Sequence, residues 1–509
     1  MSEAEAAGRR SHWEANRARR AGILLHPTSL PGQYGIGELG QEAHEWLDFL
    51  QAAGQRLWQV LPLGPTGYGD SPYQSFSSFA GNPLLISTAT LLEEGFLEPG
   101  EVAGLEALPA DRVDFGAVIP LKGELLSVAA RRFLDAGVQS EEFTAFCEAE
   151  AAWLEPYVLF SALKQEHGGG VWTAWPEPER KAHEPALAAA RERNARSIAE
   201  ARVLQYWFSR QWRALRRAAA ERDILILGDV PIFVAFDSAD TWANQQLFDL
   251  GTTGEPRSVA GVPPDYFSAT GQRWGNPLYL WDRHAEEGYA WWISRMRASL
   301  GVFDLVRIDH FRGFESYWSI PATEETAVHG EWLPGPGQAL FTALQDALGD
   351  RLPVIAEDLG IITPEVEALR DAFGLPGMRI LQFAFSGDPR DPYLPHNHVP
   401  GCVVYTGTHD NDTTPGWYRS TTDAERDLVR RYLGVGDAEA AWALVRAAYG
   451  SVADLAIVPL QDVLGQGSDA RMNTPGRAGG NWSYRFSSRQ LAGWAAPVLH
   501  DLALVFGRL

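Results

Sequence analysis

Lysine is the scarcest charged residue in this chain, which carries it at Lys122, Lys164 and Lys181 and nowhere else. The sequence beyond Lys181 therefore cannot supply a lysine for a Schiff base or for pyridoxal phosphate. None of the three lysines follows a glycine, so the Gly-Lys-Ser/Thr signature of a phosphate-binding loop is also missing. We therefore predict an activity that uses no cofactor.

Positive charge is in short supply as well, because 43 Lys and Arg stand against 65 Asp and Glu, for a net charge of −22. Nucleic acids and anionic membranes bind proteins through basic patches that gather many cations. We therefore expect no nucleic-acid partner and no membrane partner. A neutral ligand suits this charge better.

Cysteine and long apolar runs are also rare. Cys147 and Cys402 are too few for a disulfide framework or a zinc cluster, and we expect Cys402 to be a small buried apolar residue. No segment approaches 18 consecutive apolar residues, so none is expected to span a membrane. Residues 1–20 lack the apolar core of a signal peptide, which predicts a cytoplasmic protein.

What the chain does have is a series of short apolar runs separated by helical patterns. The runs cover residues 22–27, 56–63, 224–231, 305–312, 353–360, 378–385, 402–410 and 456–462. The clearest helical patterns cover 42–53, 291–300, 338–348, 364–373 and 423–432. Eight strands alternating with helices predict an α/β fold, a (β/α)8 TIM barrel, with no separate C-terminal β-domain.

The predicted barrel covers residues 22–509, preceded by an extension of residues 1–21, and two long insertions interrupt it. The first, at about 64–220, is mostly helical because Ala, Glu, Leu and Arg dominate it. The second, at about 239–290, is polar, aromatic and rich in Gly and Pro up to residue 281, and there it predicts a loop without regular structure. Loops of that length in a compact domain are usually lids or binding loops.

The run at 305–312 carries an Arg and an Asp two residues apart. Side chains at i and i+2 of a strand leave by the same face, so Arg307 and Asp309 share one face and Val306 and Ile308 share the other. Charged residues are rarely buried unless they are paired or functional. A structural ion pair at a strand end is the alternative to a catalytic site.

Several other predicted strands also end in acidic residues. These residues are Asp229, Glu357, Asp358, Asp410 and Asp462, with His409 beside Asp410. The carboxyl ends of barrel strands form the active face, and like charges gathered there repel one another, which stability alone does not explain. A single such residue is more often a helix N-cap, but several on independent strands favour a catalytic site.

Two carboxyl groups in different environments are what the cleavage of a glycosidic bond requires. Asp309 is predicted to be ionised beside Arg307, and Glu357, on an apolar strand, is predicted to have a raised pKa. His409 and Asp410 are candidates for hydrogen bonds to sugar hydroxyls. Metal binding by Asp410 and Asp412 would be a weak two-carboxylate site, and we predict none.

Five motifs make the chain resemble the α-amylase superfamily and, within it, the 4-α-glucanotransferases of the amylomaltase (disproportionating enzyme) family. They are Leu-Val-Arg-Ile-Asp-His-Phe at 305–311, Ala-Glu-Asp-Leu-Gly at 356–360, Thr-Gly-Thr-His-Asp-Asn-Asp at 406–412, Gly-Asp-Ser-Pro-Tyr-Gln at 69–74 and Arg-Met-Asn-Thr-Pro-Gly at 471–476. The resemblance runs from about residue 22 to the C-terminus.

The resemblance implies that Asp309 is the nucleophile, Glu357 the acid/base and Asp410 the stabiliser of the transition state. The residues lining the reacting sugar would be Tyr73, Asp229, Arg307 and His409. Those holding neighbouring glucoses would be Ser71, Gln74, Asp358 and Asn473. Those in the loop over the acceptor side would be Tyr266, Phe267, Gln272 and Trp274.

The implied substrates are α-1,4-glucans, such as maltooligosaccharides, amylose and glycogen, with glucose as an acceptor. The implied reaction is a retaining double displacement that transfers a glucan segment to a 4-hydroxyl. An α-amylase-like hydrolase with the same carboxylates is the first alternative. A carbohydrate-binding protein that has lost catalysis is the second, and the intact acidic residues speak against it.

Overall fold

The computed structural model describes residues 19–137, 140–264, 268–477, 479–491 and 493–509. The strands in these ranges, numbered along the chain, are β1 Arg20–Leu24, β2 Leu57–Gln59, β3 Leu225–Pro231, β4 Ser258–Val262, β5 Gln272–Pro277, β6 Leu305–Asp309, β7 Ser316–Pro321, β8 Glu331–Pro334, β9 Val354–Ala356, β10 Gly377–Ile380, β11 Cys402–Tyr405 and β12 Leu455–Pro459. Eight of them form one parallel sheet in the spatial order β10-β11-β12-β1-β2-β3-β6-β9.

This sheet curls into a barrel. Its outer strands β9 and β10 approach each other, and the Ala356 amide donates to the Pro376 carbonyl at 2.9 Å. The strands are almost wholly buried, as expected for parallel strands covered on both faces, and this burial explains their continuous apolar runs. The predicted (β/α)8 barrel is confirmed. Its first strand begins at Arg20, inside the segment that the sequence assigned to an extension.

Helices surround the barrel, and many lie between β2 and β3. In that segment they are Thr88–Glu93, Ala103–Glu106, Phe115–Asp135, Glu141–Ala149, Ala151–Glu166, Glu177–Arg180, Glu184–Arg193 and Ala195–Glu221. Elsewhere they are Gln41–Ala52, Ala239–Ala243, Trp281–Glu286, Ala290–Val302, Gly337–Leu348, Pro364–Ala372, Thr414–Ser420, Asp423–Leu433, Ala440–Gly450, Leu460–Val463, Ser488–Leu491 and Ala495–Val505. The five helices predicted individually are confirmed to within two residues at each end. None of the helices in the described ranges is long and apolar enough to cross a membrane.

A buried ion pair fastens the segment between β2 and β3 to the loop after β1. Lys122, on helix Phe115–Asp135, pairs with the buried Glu38 carboxylate. The amide and the hydroxyl of Thr88 donate to the same carboxylate at 2.7 and 2.6 Å. Because a buried charge is costly unless it is paired and hydrogen-bonded, these partners hold the helices at a defined position against the barrel.

The segment predicted to be a structureless loop is partly regular, and that prediction was wrong. Strands β4 and β5 lie within it, and they join β7 and β8 in a four-stranded antiparallel sheet of order β5-β4-β7-β8. The pairing of β4 with β7 joins residues about sixty positions apart. The strands of this segment are short and partly exposed, and they show no clean alternation of apolar and polar residues. The local pattern of apolar residues therefore could not predict these strands.

Seven of the eight predicted strands were drawn too long at the carboxyl end, among them the last three. Strand β10 gives way to a 3₁₀ turn at Leu381–Phe383, β11 ends at Tyr405, and β12 is followed directly by the helix Leu460–Val463. After β10 the chain continues through the buried Leu381, and after β12 through the buried Leu460, so the apolar run outlasts the strand. A continuous apolar run does not distinguish a buried strand from a buried turn.

The penultimate residue closes the amino-terminal end of the barrel. The Arg508 side chain is buried, and its guanidinium donates to five main-chain carbonyls at 2.7 to 3.3 Å, those of Arg20, Tyr449, Ser451, Ala453 and Asp454. The Arg20 carbonyl belongs to the first residue of β1, and the Asp454 carbonyl directly precedes β12. The C-terminus therefore ties together strands that lie far apart in the sequence.

We expect the substitution Arg508→Met to lower the apparent free energy of unfolding by about 3 kcal/mol, because it removes five hydrogen bonds to main-chain carbonyls. Urea unfolding followed by tryptophan fluorescence measures this change. The matched control is Arg489→Met, at an exposed position, where the change should stay below about 0.5 kcal/mol. Equal stabilities for the two variants would contradict the role of Arg508.

Candidate active site

The site is built around the guanidinium of Arg307, which is buried at the carboxyl end of the barrel. Its Nη2 donates to Asp309 Oδ1 at 2.7 Å, and its Nη1 donates to Asp229 Oδ2 at 2.6 Å. Residues 229 and 307 are register partners on β3 and β6, which brings both carboxylates to one cation. The shared face of Arg307 and Asp309 is confirmed. The Asp309 side chain is 30% exposed, so this ion pair opens to the mouth of the barrel.

A second set of contacts joins Asp229 to the loops after β2 and β11. The Tyr73 hydroxyl donates to Asp229 Oδ2 at 2.9 Å, and the Tyr73 ring stacks on the His409 imidazole with centroids 5.0 Å apart. His409 Nε2 lies 3.3 Å from Asp410 Oδ1, and Asn473 Nδ2 donates to the same oxygen at 2.6 Å. The Asp410 side chain remains 45% exposed, so its carboxylate is held by the protein and still faces solvent.

Glu357 lies directly after β9 and is buried. Its two carboxyl oxygens accept from two main-chain amides, Oε2 from His310 at 2.7 Å and Oε1 from Leu359 at 2.8 Å. Burial raises the pKa of Glu357 to about 8, with the charge of Arg307 opposing and the charge of Asp309 adding to the rise. The predicted raised pKa is confirmed, and the carboxyl is neutral at pH 7.

Asp309, Glu357 and Asp410, the three acidic residues with predicted catalytic roles, meet in one place. The negative charge of Asp309 acts on Glu357, and the charges of Asp309 and Asp410 both act on the Tyr73 hydroxyl. Burial, reinforced by the charge of Asp229, raises the pKa of Tyr73 well above its usual range, so the phenol keeps its proton and donates it. The mouth of the barrel therefore presents two partly exposed carboxylates and one buried neutral carboxyl.

Ser71 and Gln74 support the Tyr73 loop. The Tyr73 amide donates to Ser71 Oγ at 3.2 Å, and Gln74 Nε2 donates to Asn276 Oδ1 at 3.2 Å. Asn276, which the sequence did not single out, is on β5 and also donates to the Val234 carbonyl at 2.8 Å. These contacts join the Tyr73 loop to the antiparallel sheet.

Asp358 points away from the Arg307 network. It is buried, its Oδ1 accepts from the Met378 amide at 2.6 Å, and its Oδ2 pairs with Arg370 and lies 3.7 Å from Arg379. The carboxylate thus links the end of β9 to β10 and to the helix Pro364–Ala372. This geometry gives no support to the predicted glucose contact.

Asp462 belongs to the interior as well. Its carboxylate accepts from the hydroxyls of Thr406 and Thr414 and from the Thr414 amide. The bond to that amide braces the start of the helix Thr414–Ser420, whose N-cap is Thr413, so Asp462 has a structural role.

Of the residues predicted for the acceptor side, Gln272 and Trp274 lie on β5. Trp274 Nε1 donates to Gln272 Oε1 at 3.2 Å, and the Trp274 ring meets the His310 imidazole edge to face, with centroids 4.9 Å apart. Tyr266 and Phe267, predicted for the same loop, lie outside the described residues. No group of three or more His, Cys, Asp or Glu within the described ranges is placed to hold a metal ion.

His310 is the functional candidate that sequence reasoning missed. It has a left-handed backbone, with φ of 57°, and it donates its amide to Glu357. The chain offers one cue, its position directly after Asp309. A main-chain hydrogen bond to a residue 47 positions away leaves no trace in a side-chain pattern.

Known proteins are similar to this chain in sequence and in fold. The profile of the 4-alpha-glucanotransferase family matches residues 25–491. The 4-alpha-glucanotransferase of Thermus thermophilus is 54% identical over 504 residues, which cover 96% of this chain and 99% of that protein. The protein of the same name from Synechocystis is 50% identical over 502 residues, covering 96% and 98% of the two chains.

Comparison with solved structures gives the same result as comparison of sequences. An amylomaltase from Streptococcus agalactiae, solved in complex with acarbose, superimposes with a TM-score of 0.93 at 37% identity. The match covers 96% of this chain and 99% of that one. The family resemblance seen in the motifs is thereby confirmed, and this chain belongs to the 4-alpha-glucanotransferase family.

Proposed function

We propose that this 4-alpha-glucanotransferase moves a segment of an α-1,4-glucan to the 4-hydroxyl of a second glucan or of glucose. The observation that carries the proposal is the pair of carboxyl groups with opposite character, Asp309 beside Arg307 and the neutral Glu357. Maltooligosaccharides, amylose and glycogen are the proposed donors. Family membership supports an α-glucan as the substrate class.

In the first step Asp309 attacks C1 of the donor while Glu357 gives its proton to the departing glycosidic oxygen. This step forms a covalent bond between C1 and the Asp309 carboxylate and leaves Glu357 ionised. In the second step Glu357 takes the proton from the acceptor 4-hydroxyl, and that oxygen displaces Asp309 from C1. Two inversions retain the α configuration.

The neighbouring groups prepare this chemistry. Arg307 orients the Asp309 carboxylate by a charge-assisted hydrogen bond. Tyr73, Asp229 and His409 form the floor on which the reacting sugar lies. Asp410, held by Asn473 and His409, accepts from sugar hydroxyls and stabilises the positive charge that develops at C1.

Transfer exceeds hydrolysis only if the acceptor sugar displaces water from the glycosyl-enzyme. We assign this role to the acceptor-side segment with Tyr266, Phe267, Gln272 and Trp274, whose aromatic planes pack against sugar rings. Ser71, Gln74 and Asn473 are assigned to the neighbouring glucoses. We assign Asp358 no direct contact with these glucoses. It contributes to the site only by holding the end of β9 against its neighbours.

We also propose that one catalytic barrel accounts for residues 20–509, with the segments at about 64–220 and 239–290 as its insertions and the preceding residues as an extension. A cytoplasmic location is part of the proposal. It is supported by the unpaired state of Cys147 and Cys402, which is typical of reducing compartments.

Maltotriose tests the proposed activity directly. We expect longer oligomers and glucose to form without a net rise in reducing ends, and the variant Asp309→Asn to lose at least a thousandfold in rate because it lacks the nucleophile. Asp501→Asn, at an exposed position on the last helix, is the control and should keep full activity. A steady rise in reducing ends would instead identify a hydrolase, and an active Asp309→Asn would remove the nucleophile assignment.

The pKa of Glu357 predicts the alkaline side of the pH profile. Because burial raises this pKa to about 8, the proton needed in the first step is present below about pH 8 and is lost above it. We expect kcat/KM for maltotriose to fall about tenfold per pH unit above that value. The variant Glu357→Gln should lose this alkaline limb, together with most of its activity on maltotriose. If kcat/KM instead begins to fall with rising pH already below about pH 6, the assignment is contradicted.

Trp274→Ala should lower the ratio of transfer to hydrolysis about tenfold, because the variant has less aromatic surface to hold the acceptor and to exclude water. Chromatography of the products from maltotriose measures the ratio. Trp494→Ala is the matched control, since this tryptophan is 42% exposed and lies near the C-terminus. If the two variants keep the same ratio, the acceptor-side role is refuted.

A further inference from the structure

His310 occupies an unusual position between two parts of the proposed mechanism. Its φ of 57° and ψ of 51° place it in the left-handed region, which residues other than glycine seldom adopt. Such a conformation persists where the surroundings require it, and it is concentrated at functional sites. The residue stands between Asp309, at the end of β6, and the short 3₁₀ helix Phe311–Phe314.

The left-handed turn directs two successive amides toward the end of β9. The His310 amide donates to Glu357 Oε2 at 2.7 Å, and the Phe311 amide donates to the Glu357 carbonyl at 3.1 Å. The first of these bonds favours the ionised carboxylate and so opposes the effect of burial. The backbone at 310 thus sets both the position and the acidity of the proposed acid/base group.

The imidazole of the same residue faces the acceptor side. It meets the Trp274 ring edge to face at 4.9 Å, and its Cδ2 lies so near Gly313 that a Cβ there would approach it to 3.2 Å. The His310 Nε2 atom is buried and makes no hydrogen bond within the described structure. The ring is therefore wedged between Trp274 and the Gly313 backbone by packing rather than by a polar partner.

We propose that His310 is a positioning residue that links the acceptor side to the acid/base: its ring rests against Trp274 while its amide holds Glu357. A sugar that settles on Trp274 would press on the ring, and the rigid turn would pass the displacement to the Glu357 carboxyl. Arrival of an acceptor would then align the group that must take its proton. This inference rests on the proposed function.

Other charged groups near Glu357 also influence it, and they stay unchanged in the test. These groups are Arg307 and Asp309 on β6 and Tyr393 after β10. Asp309 and Arg312 act on the imidazole itself, and burial lowers the pKa of His310 to about 4, so the ring is neutral at the pH of the assay. At the pH of the assay, the effects of the His310 variants are therefore not caused by loss of an imidazolium charge.

Two substitutions distinguish the effect of the His310 ring from the effect of its backbone conformation. His310→Gly removes the ring but adopts the left-handed conformation without strain, whereas His310→Ala removes the ring and disfavours that conformation. We expect the alkaline pKa of kcat/KM to rise by about half a unit or more in His310→Ala, which weakens the bond to Glu357, and to stay unchanged in His310→Gly. Identical alkaline limbs in the two variants would overturn the backbone role.

A double-mutant cycle tests the link to Trp274. If the two residues act through one another, the loss of transfer in His310→Gly with Trp274→Ala should be at least fivefold smaller than the product of the single losses. Simple multiplication of the two losses would overturn the link. His500→Ala, at an exposed position on the last helix, is the control. Its effect on transfer should combine with that of Trp274→Ala by simple multiplication.

A third measurement distinguishes positioning from general damage. With α-maltosyl fluoride the leaving group departs without a proton from Glu357, so both His310 variants should glycosylate within about threefold of the wild-type rate. An equal loss on maltotriose and on the fluoride would show that His310 only supports the fold of the site, and would overturn the proposal. Failure of the proposed function would look different, since the wild-type enzyme itself would then release reducing ends instead of transferring glucan.

Discussion

The buried guanidinium of Arg307 is the interaction on which the site depends. It binds one carboxylate on its own strand and one on the neighbouring strand, and it lies where water is largely excluded. Removing any one of these three charges would leave an uncompensated charge in a medium that solvates it poorly. The register of β3 and β6 is therefore coupled to the chemistry, because a shift by one residue would turn Arg307 and Asp309 toward the opposite face.

The same cation separates the properties of the two central carboxyl groups. Asp309 accepts directly from the guanidinium and stays partly exposed at the mouth of the barrel. Glu357 lies deeper and receives main-chain amides instead, and burial outweighs them to keep the group protonated. Two residues of similar intrinsic acidity thus acquire opposite roles from their surroundings, as the two steps of a retaining transfer require.

Around this centre, parts of the chain that are remote in sequence serve as braces. Asp358 and Asp462, which resemble catalytic acids in their position after strands, turn inward and hold neighbouring strands and helices. The antiparallel sheet carries Trp274 to the side of the barrel mouth where His310 lies. The loop with Tyr73 is held both by Asp229 below it and by Asn276 of that sheet beside it. The mouth is therefore shaped by contacts between the barrel and its insertions.

The barrel, the carboxyl-end location of the acidic residues and the common face of Arg307 and Asp309 could all be predicted from the sequence. These features follow from local rules, namely apolar runs, helical periodicity and the alternation of side chains along a strand. Three features could be seen only in the folded chain: Asp358 faces inward, β4 pairs with β7, and the His310 amide binds Glu357. These three outcomes depend on main-chain direction and on pairing between distant segments. Neither is expressed in the order of side chains within any short stretch of the chain.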